Sequence, residues 1–501
     1  MTRRHEVSAW IKPLSLVVLW SLAACGSPPP PAETPPPPDS GIIDVTRSFP
    51  DLRFPVKTPE GETWIYQLGL PIQLGPNTGG YICNIRVSGW KGTDFENGSD
   101  LIPFDDITGL NPERAVPITR NHNELNPNSK PPNQEAIMVK YPVMGGFVPF
   151  GAKRPDGSPH PHAGTGFGLN QSIAWRTTVE GPPPYGVNMF GRNPKTSVFE
   201  DLSQMYSYLE LHQLAYDGET FSVANTERVS QESMLAGWRL TASLMTAIPD
   251  GDDLLFAMKG NRPGMTGGSG LARWRRVDGS WRPVSFVPVT GQDNSFEASA
   301  VRDQDGSILF SARGSRSPEH FEASETRTAD HDIRVWRSRD NGETWTKIIH
   351  VRGLISSAPI VLNQAADGTP YVTANLYEVF MEGLDRIKLV KDSRGSPLWG
   401  GRSRKTLCFW PLNEERTGLL PALIARDLRK EFGPAPGGTA WRVDHPVAVT
   451  LRLADGRWRN VIALRILEYG ELTHMQDPTP HTGAYLEEVI SAGEPIPVWN
   501  F

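Results

Sequence analysis

The chain has 501 residues, with 50 Lys and Arg against 56 Asp and Glu and a formal charge of −6. A charge so mild, with both signs interspersed, offers no basic face, and no nucleic-acid partner is expected. Beyond the N-terminal signal no stretch is long and apolar enough to cross a membrane, and the remainder is ample for a large core.

Arg3 and Arg4 precede a short apolar run, Leu14 to Leu22, which together read as an export signal. The run ends in Leu22-Ala23-Ala24-Cys25, which resembles a bacterial lipobox. That predicts removal of residues 1–24 and lipid on the Cys25 thiol; ordinary cleavage near Ala24 is the alternative. Residues 25–40 are a Pro-rich tether with nothing to bury, a stiff spacer off a membrane surface. Gly26 follows the cysteine in place of an Asp, which permits outer-membrane delivery. The expected location is therefore the bacterial cell envelope, lipid-anchored at the outer membrane or cell surface. Residues 41–501 form one domain, expected to be a monomer.

Within it, short apolar runs are punctuated by Asp217-Gly218, Asp250-Gly251, Asp278-Gly279, Asp305-Gly306, Asp367-Gly368 and Asp455-Gly456. An Asp-Gly pair ahead of a strand-like run, as in DGSILFSARG, is a hairpin signal. Asp250 to Asp305 is 55 residues and Asp305 to Asp367 is 62, the length of a four-stranded blade with its loops. The expected fold is an all-β propeller, with a two-sheet sandwich as the alternative; turn signals alone fit six or seven blades. Residues 391–440 break the rhythm, and LCFWPLNEERTGLLPALIARDLRKEF predicts one or two short helices in a partly helical insertion. Exported Cys83 and Cys408 either pair or remain two buried thiols. His160 and His162 lie on a Gly-rich loop with no carboxylate or third His at metal spacing, so no metal or other cofactor is expected.

The octapeptide Ser338-Arg339-Asp340-Asn341-Gly342-Glu343-Thr344-Trp345 reads S-x-D-x-G-x-T-W. Ser338 and Asp340 can bond turn amides, Gly342 supplies a positive φ, and Trp345 leads into the next strand as an apolar anchor. It resembles the Asp-box, or BNR repeat, of sialidases and related β-propellers. That resemblance implies six blades and a glycosidase site made of three arginines, a Glu–Tyr pair and an Asp.

The segment Asn294 to Arg313 is similar to the family's Glu-strand-turn-strand-Arg stretch, with Glu297 and Arg313 separated by 16 residues. Arg386 opens a strand running into Asp392-Ser393-Arg394-Gly395, a decayed Asp-box, where a third Arg belongs. Leu52-Arg53-Phe54-Pro55 is similar to the aromatic-Arg-Ile-Pro motif of the first Arg. Asp94 and Asp100 occur in the loop expected to hold the acid/base, and Asp100 is chosen. Tyr469 is the best late Tyr. The resemblance implies that Arg53, Arg313 and Arg386 bind a sugar carboxylate through planar bidentate hydrogen bonds. Glu297 would then take the phenolic proton of Tyr469, the nucleophile, while Asp100 serves as acid then base.

The expected function is sialidase-like exo-glycosidase action on terminal acidic sugars of glycans. Two other classes compete. One is a non-catalytic glycan-binding propeller: Trp238, Trp274 and Trp441 read mostly as blade anchors, but an exposed one would stack on sugars. The other is a lyase on uronate polymers, using His160 or His162 with Tyr206 or Tyr208 and Arg239.

Overall fold

The structure is a computed structural model. It describes residues 45–48, 55–57, 63–75, 78–87, 98–105, 114–120, 122–125, 135–140, 144–154, 156–169, 171–176, 208–230, 235, 237–241, 247–262, 265–291, 293, 295–314, 331–355, 358–365, 367–376, 404–428, 431, 440–452, 458–469 and 483–490. Cys25, Arg53 and Arg386 lie outside these residues.

The strands in chain order begin with β1 (Val45–Ser48), β2 (Pro55–Lys57), β3 (Thr63–Gly75), β4 (Thr78–Val87), β5 (Gly98–Asp105) and β6 (Val116–Arg120). Next come β7 (His122–Leu125), β8 (Glu135–Lys140), β9 (Met144–Phe147), β10 (Thr165–Leu169), β11 (Gln171–Arg176), β12 (Tyr208–Tyr216) and β13 (Phe221–Ser230). Then follow β14 (Arg239–Thr241), β15 (Ile248–Asp250), β16 (Asp253–Arg262), β17 (Met265–Val277) and β18 (Ser280–Pro288). Two consecutive four-stranded sheets are β19 (Phe296–Arg302), β20 (Ile308–Arg313), β21 (His331–Ser338), β22 (Thr346–Ile355) and β23 (Val361–Gln364), β24 (Pro370–Asn375), β25 (Thr406–Pro411), β26 (Leu423–Asp427). Last are β27 (Ala440–Arg452), β28 (Trp458–Tyr469) and β29 (Gly483–Ile490).

β1 completes the last sheet in the order β1-β29-β28-β27, with Val45 opposite Ile490, so the start of the domain closes against its end. β2 to β6 form a sheet in chain order; β14, β16, β17 and β18 form another, with β15 also on β16. The sheet β13-β12-β10-β9 departs from a simple meander, because β11 leaves it to pair with β8 and β7. Strands β16, β19, β23, β27 and β3 abut in succession, and β9 and β13 touch β3 and β18. The fold is all-β with a propeller-like arrangement of sheets; among the described residues five blades are found, against the six expected.

Blade strands are apolar on both faces because each is sandwiched between neighbours, so they read as continuous runs rather than alternating ones. β20 shows this: Ile308, Phe310 and Ala312 pack with Leu255, Leu271 and Trp336, while Leu309 faces Val335, Leu362 and Val372. Over the described residues 404–428 the same physics corrects the helical insertion expected at 391–440. LCFWP is β25, with Leu407 and Phe409 packed beside Tyr371 and Val443, and Cys408 and Trp410 beside Leu362 and Val372. LIARD is β26, and helical backbone in this stretch is confined, among the described residues, to Leu428 and Glu431. A short apolar run carries no period that separates strand from buried helix. Cys408 is a free, buried thiol, pushed up to about 12 by burial, with Asp427 adding to the shift. The side chain of Cys83 is outside the described residues.

The Asp-box forms as its residue types require. Ser338 Oγ donates to Asp340 Oδ1 at 2.8 Å and accepts the Gly342 N–H at 2.8 Å. Asp340 also accepts the Thr344 N–H at 2.9 Å, and its carboxyl is drawn down to about 2 by the hydroxyl and amide of Thr344. Gly342 has φ 97°, and a Cβ there would lie 2.6 Å from Leu271 Cδ2. Trp345 is half-buried, donates from Nε1 to Gly342 O at 2.9 Å and meets Phe310 edge-on at 5.6 Å. Asn341, at φ 59°, accepts from Arg302 at 3.0 Å and donates to Asp250 Oδ2 at 2.6 Å, tying the hairpin to the preceding sheet.

Candidate functional site

Glu297 and Arg313 sit at one end of the β19–β20 hairpin, where Phe296 pairs with Arg313 and Ala298 with Ala312. Glu297 is thus the extra residue of a β-bulge, with φ 50°, a left-handed backbone that non-Gly residues rarely adopt. A bulge of this kind re-aims a side chain out of the pleat. Arg313 Nη1 donates to Glu297 Oε2 at 2.7 Å, and its guanidinium lies 4.6 Å over the Phe296 ring. The Glu297 side chain is 22% exposed, so the pair opens to solvent.

A second bulge lies in β27. Asp444 pairs with Arg465 and Val447 with Ala463, which leaves His445 and Pro446 out of register, His445 at φ 54°. His445 Nε2 is 3.7 Å from Glu297 Oε1, and its Nδ1 is 2.8 Å from Asp444 Oδ1. An imidazole nitrogen that close to a carboxylate oxygen carries a proton, so Nδ1–H donates to Asp444 and Nε2 faces Glu297. Asp444 is wholly buried and held by three arginines: Arg465 donates from Nε at 2.8 Å and from Nη2 at 3.1 Å, Arg442 Nε lies at 3.1 Å, and Arg404 donates from Nη1. Val443 N–H donates to Arg404 O at 2.6 Å, fixing β27 to the lead-in of β25.

Burial alone would raise both carboxyls. For Glu297 the Arg313 and His445 charges and hydrogen bonds outweigh it, and the group is held well below the carboxylate range. For Asp444, Arg465, His445, Arg404 and Arg442 do the same. Burial and the like charges of Arg442 and Arg313 press Arg404 down against the pull of Asp444. Beside this cluster Arg334 Nη1 donates to Asp293 Oδ2 at 2.6 Å, while its buried Nη2 has no hydrogen-bond partner among the described residues. Among the described residues, five guanidiniums and three carboxylates gather on β19, β20, β21, β27, β28 and the segments leading into β19 and β25.

Of the residues singled out from sequence, Glu297 and Arg313 are brought together. Asp100 is not placed with them: it is buried in β5, which β4 separates from β3. Tyr469 ends β28, in the same strand as Arg465, and its side chain is outside the described residues. The structure adds Arg404, Arg442, Asp444, His445 and Arg465. The signal in the chain was Asp444-His445-Pro446 between the apolar residues Val443 and Val447 of a strand, where Pro marks a bulge.

The His160–His162 loop is a packed corner. His162 Nε2–H donates to Asp252 O at 2.8 Å, and the ring meets Trp281 edge-on at 4.3 Å. Burial and the charge of His162 lower His160 to about 4, too weak a base for proton abstraction near neutrality. Tyr206 and the Tyr208 side chain lie outside the described residues, and Arg239 is exposed on β14. Trp274 is fully buried and Trp238 packs on Phe286, both anchors between sheets; the Trp441 side chain is not among the described ones.

The sequence matches no protein-family model and no curated protein. Among solved structures, a protein of unknown function from Dyadobacter fermentans is similar at 12% identity, covering 89% of this chain and 100% of that one, TM-score 0.44. The NanB sialidase of Streptococcus pneumoniae is similar at 12% identity, 87% and 70% coverage, TM-score 0.43. An α-L-arabinofuranosidase from Fusarium graminearum follows at 10% identity, 89% and 98% coverage, TM-score 0.42.

Proposed function

We propose that the protein is an exo-glycosidase acting on the terminal acidic sugar of glycans outside the cytoplasm, with its site at Glu297 and Arg313. The observation that carries this reading is the 2.7 Å pair between two residues 16 apart, joined through His445 to Asp444 and the guanidiniums that hold it. Arg313 beside a partly exposed Glu297 suits a sugar carboxylate, since planar guanidiniums bind carboxylates bidentately. Arg313 holds the carboxylate, with Arg53 and Arg386 as the partners implied by motif resemblance. Glu297, kept ionised by Arg313, is a standing proton acceptor for the phenol of Tyr469, whose oxygen attacks the anomeric carbon. Cys25 carries the lipid that anchors the domain, through its tether, to the cell envelope.

The test is release of fluorophore from sialosides and arabinosides, run beside the ultraviolet signal of unsaturated uronates. Arg313→Ala is expected to cost on the order of 2–5 kcal/mol of affinity for a sialic acid analogue. Glu297→Ala should depress turnover more than binding. Product from neither glycoside refutes the enzyme. One observation favours a second reading, a non-catalytic glycan binder: Asp100, the candidate acid/base, lies in β5 and not on an inner strand. Retained binding on a glycan array with no turnover would select it. For the anchor, a palmitate analogue fed to producing cells should tag the natural chain and leave Cys25→Ala untagged; equal tagging ends the lipoprotein reading.

A further inference from the structure

Two residues in this molecule share an uncommon pair of features. Glu297 and His445 each occupy a β-bulge on an inner strand, and each has a left-handed backbone, φ 50° and 54°. Strands β19 and β27 belong to sheets on either side of β23, and the bulges aim the two side chains at each other across it, to 3.7 Å. Strained backbone of this sort persists only where the surroundings over-determine it. Here the surroundings are polar: Asp444 fixes the ring through Nδ1, and Arg465 Nη2 lies 3.2 Å from the same nitrogen.

We propose that His445, oriented by Asp444, exchanges a proton with Glu297, so that the two bulge residues work as one acid–base pair. The inference rests on reading Glu297 as the centre of the site. When the Glu297 carboxylate takes a proton from a hydroxyl in the site and the neutral His445 ring closes from 3.7 Å to hydrogen-bond distance, that proton passes to the lone pair on His445 Nε2. The products are a carboxylate and an imidazolium, with no other bond changed and no co-reactant needed; the reverse step returns the proton. The groups facing the pair set its balance. Asp444 stabilises the imidazolium, while Arg313 on β20 stabilises the Glu297 carboxylate; Arg404, Arg442 and Arg465 surround Asp444 and temper its charge. His445 is a positioning and proton-holding residue.

The experiment reads the coupling in the protein itself as well as in turnover. Asn tolerates a left-handed backbone, so His445→Asn keeps the bulge while removing the imidazole. With carbodiimide and glycinamide at about pH 5, peptide-mapping mass spectrometry should find Glu297 coupled about tenfold faster in His445→Asn, the factor for one unit of displaced ionisation. Reciprocally, diethyl pyrocarbonate acylates neutral imidazole, and His445 should be acylated several-fold faster in Glu297→Gln, which has lost the anion facing it. Circular dichroism and melting confirm that both variants are folded. Equal rates in both comparisons overturn the pair, whatever substrate the site takes. If a glycoside is turned over, the acid limb of kcat/KM should move to higher pH in His445→Asn; an unmoved limb also overturns it. Absence of any turnover removes the glycosidase reading, and the two labelling rates still decide the pair.

Discussion

Arg416 offers the sharpest test of how the blades are held together. It lies in the turn between β25 and β26 at φ 60°, and its Nε and Nη2 donate to Asp303 at 2.8 and 3.1 Å in the turn between β19 and β20. Both side chains are buried, 10% and 3% exposed. Removing one partner of a buried ion pair costs ~3–5 kcal/mol, because the other charge stays behind uncompensated. Asp303 keeps the Gln304 N–H at 2.8 Å and Arg337 at 3.9 Å, which places Arg416→Ala at the lower end. The left-handed backbone separates strain from electrostatics. Ala retains the steric cost of a Cβ at positive φ, roughly 1–2 kcal/mol, whereas Gly does not. Arg416→Ala should therefore lose about 3 kcal/mol and Arg416→Gly about 1 kcal/mol less, read as shifts of the urea midpoint at constant slope. Adding Asp303→Asn to Arg416→Ala should cost less than the two single changes together, since the stranded charge is then gone. A loss under about 0.5 kcal/mol for Arg416→Ala, or a Gly variant weaker than the Ala one, would refute the clamp and its strain respectively.

Trp345→Ala should destabilise by about 2–3 kcal/mol, less than a fully buried Trp, because Trp345 is half-buried and loses the Phe310 contact and one hydrogen bond; an unchanged melting temperature would show that it anchors nothing. Burial lowers His212 from 6.5 to about 4, so the folded state refuses a proton that the unfolded chain accepts. Stability is then full above the unfolded value and falls as pH drops from 6.5 towards 4, by up to roughly 3 kcal/mol from this residue. His212→Leu should flatten that limb of the melting-temperature profile, and an equally steep limb in the variant would assign the acid loss elsewhere.

Glu297 and Arg313 were legible in the sequence for a local reason. They belong to one hairpin, and the Asp305-Gly306 turn, with Ser307 N–H and Oγ donating to Asp305, fixes which residues face each other. Asp444 and His445 were not legible, because Arg404 and Glu297 reach them from other sheets and only Pro446 betrayed the bulge. LCFWP misled because a strand buried on both faces loses its alternation, and so looks like any short apolar run.

The Asp-box was readable for its internal bonds, yet its grip on the neighbouring sheet depends on Asn341, a position the motif leaves open. Asn341 is left-handed and reaches from the β21–β22 turn to Asp250, the last residue of β15 where it turns into β16. Arg416 is left-handed and reaches from the β25–β26 turn to Asp303, in the turn between β19 and β20. The two operations are the same, one blade apart. The second runs without the box: Asn413 Oδ1 accepts the Thr417 and Gly418 N–H groups at 2.8 and 2.9 Å, bonding turn amides as Asp340 does in the first. What recurs is therefore a left-handed residue that turns a polar side chain back onto the preceding blade's acidic turn. Its identity varies because any side chain that can donate to a carboxylate at that distance does the job, and a pattern fixed by geometry rather than residue type leaves little trace in a sequence.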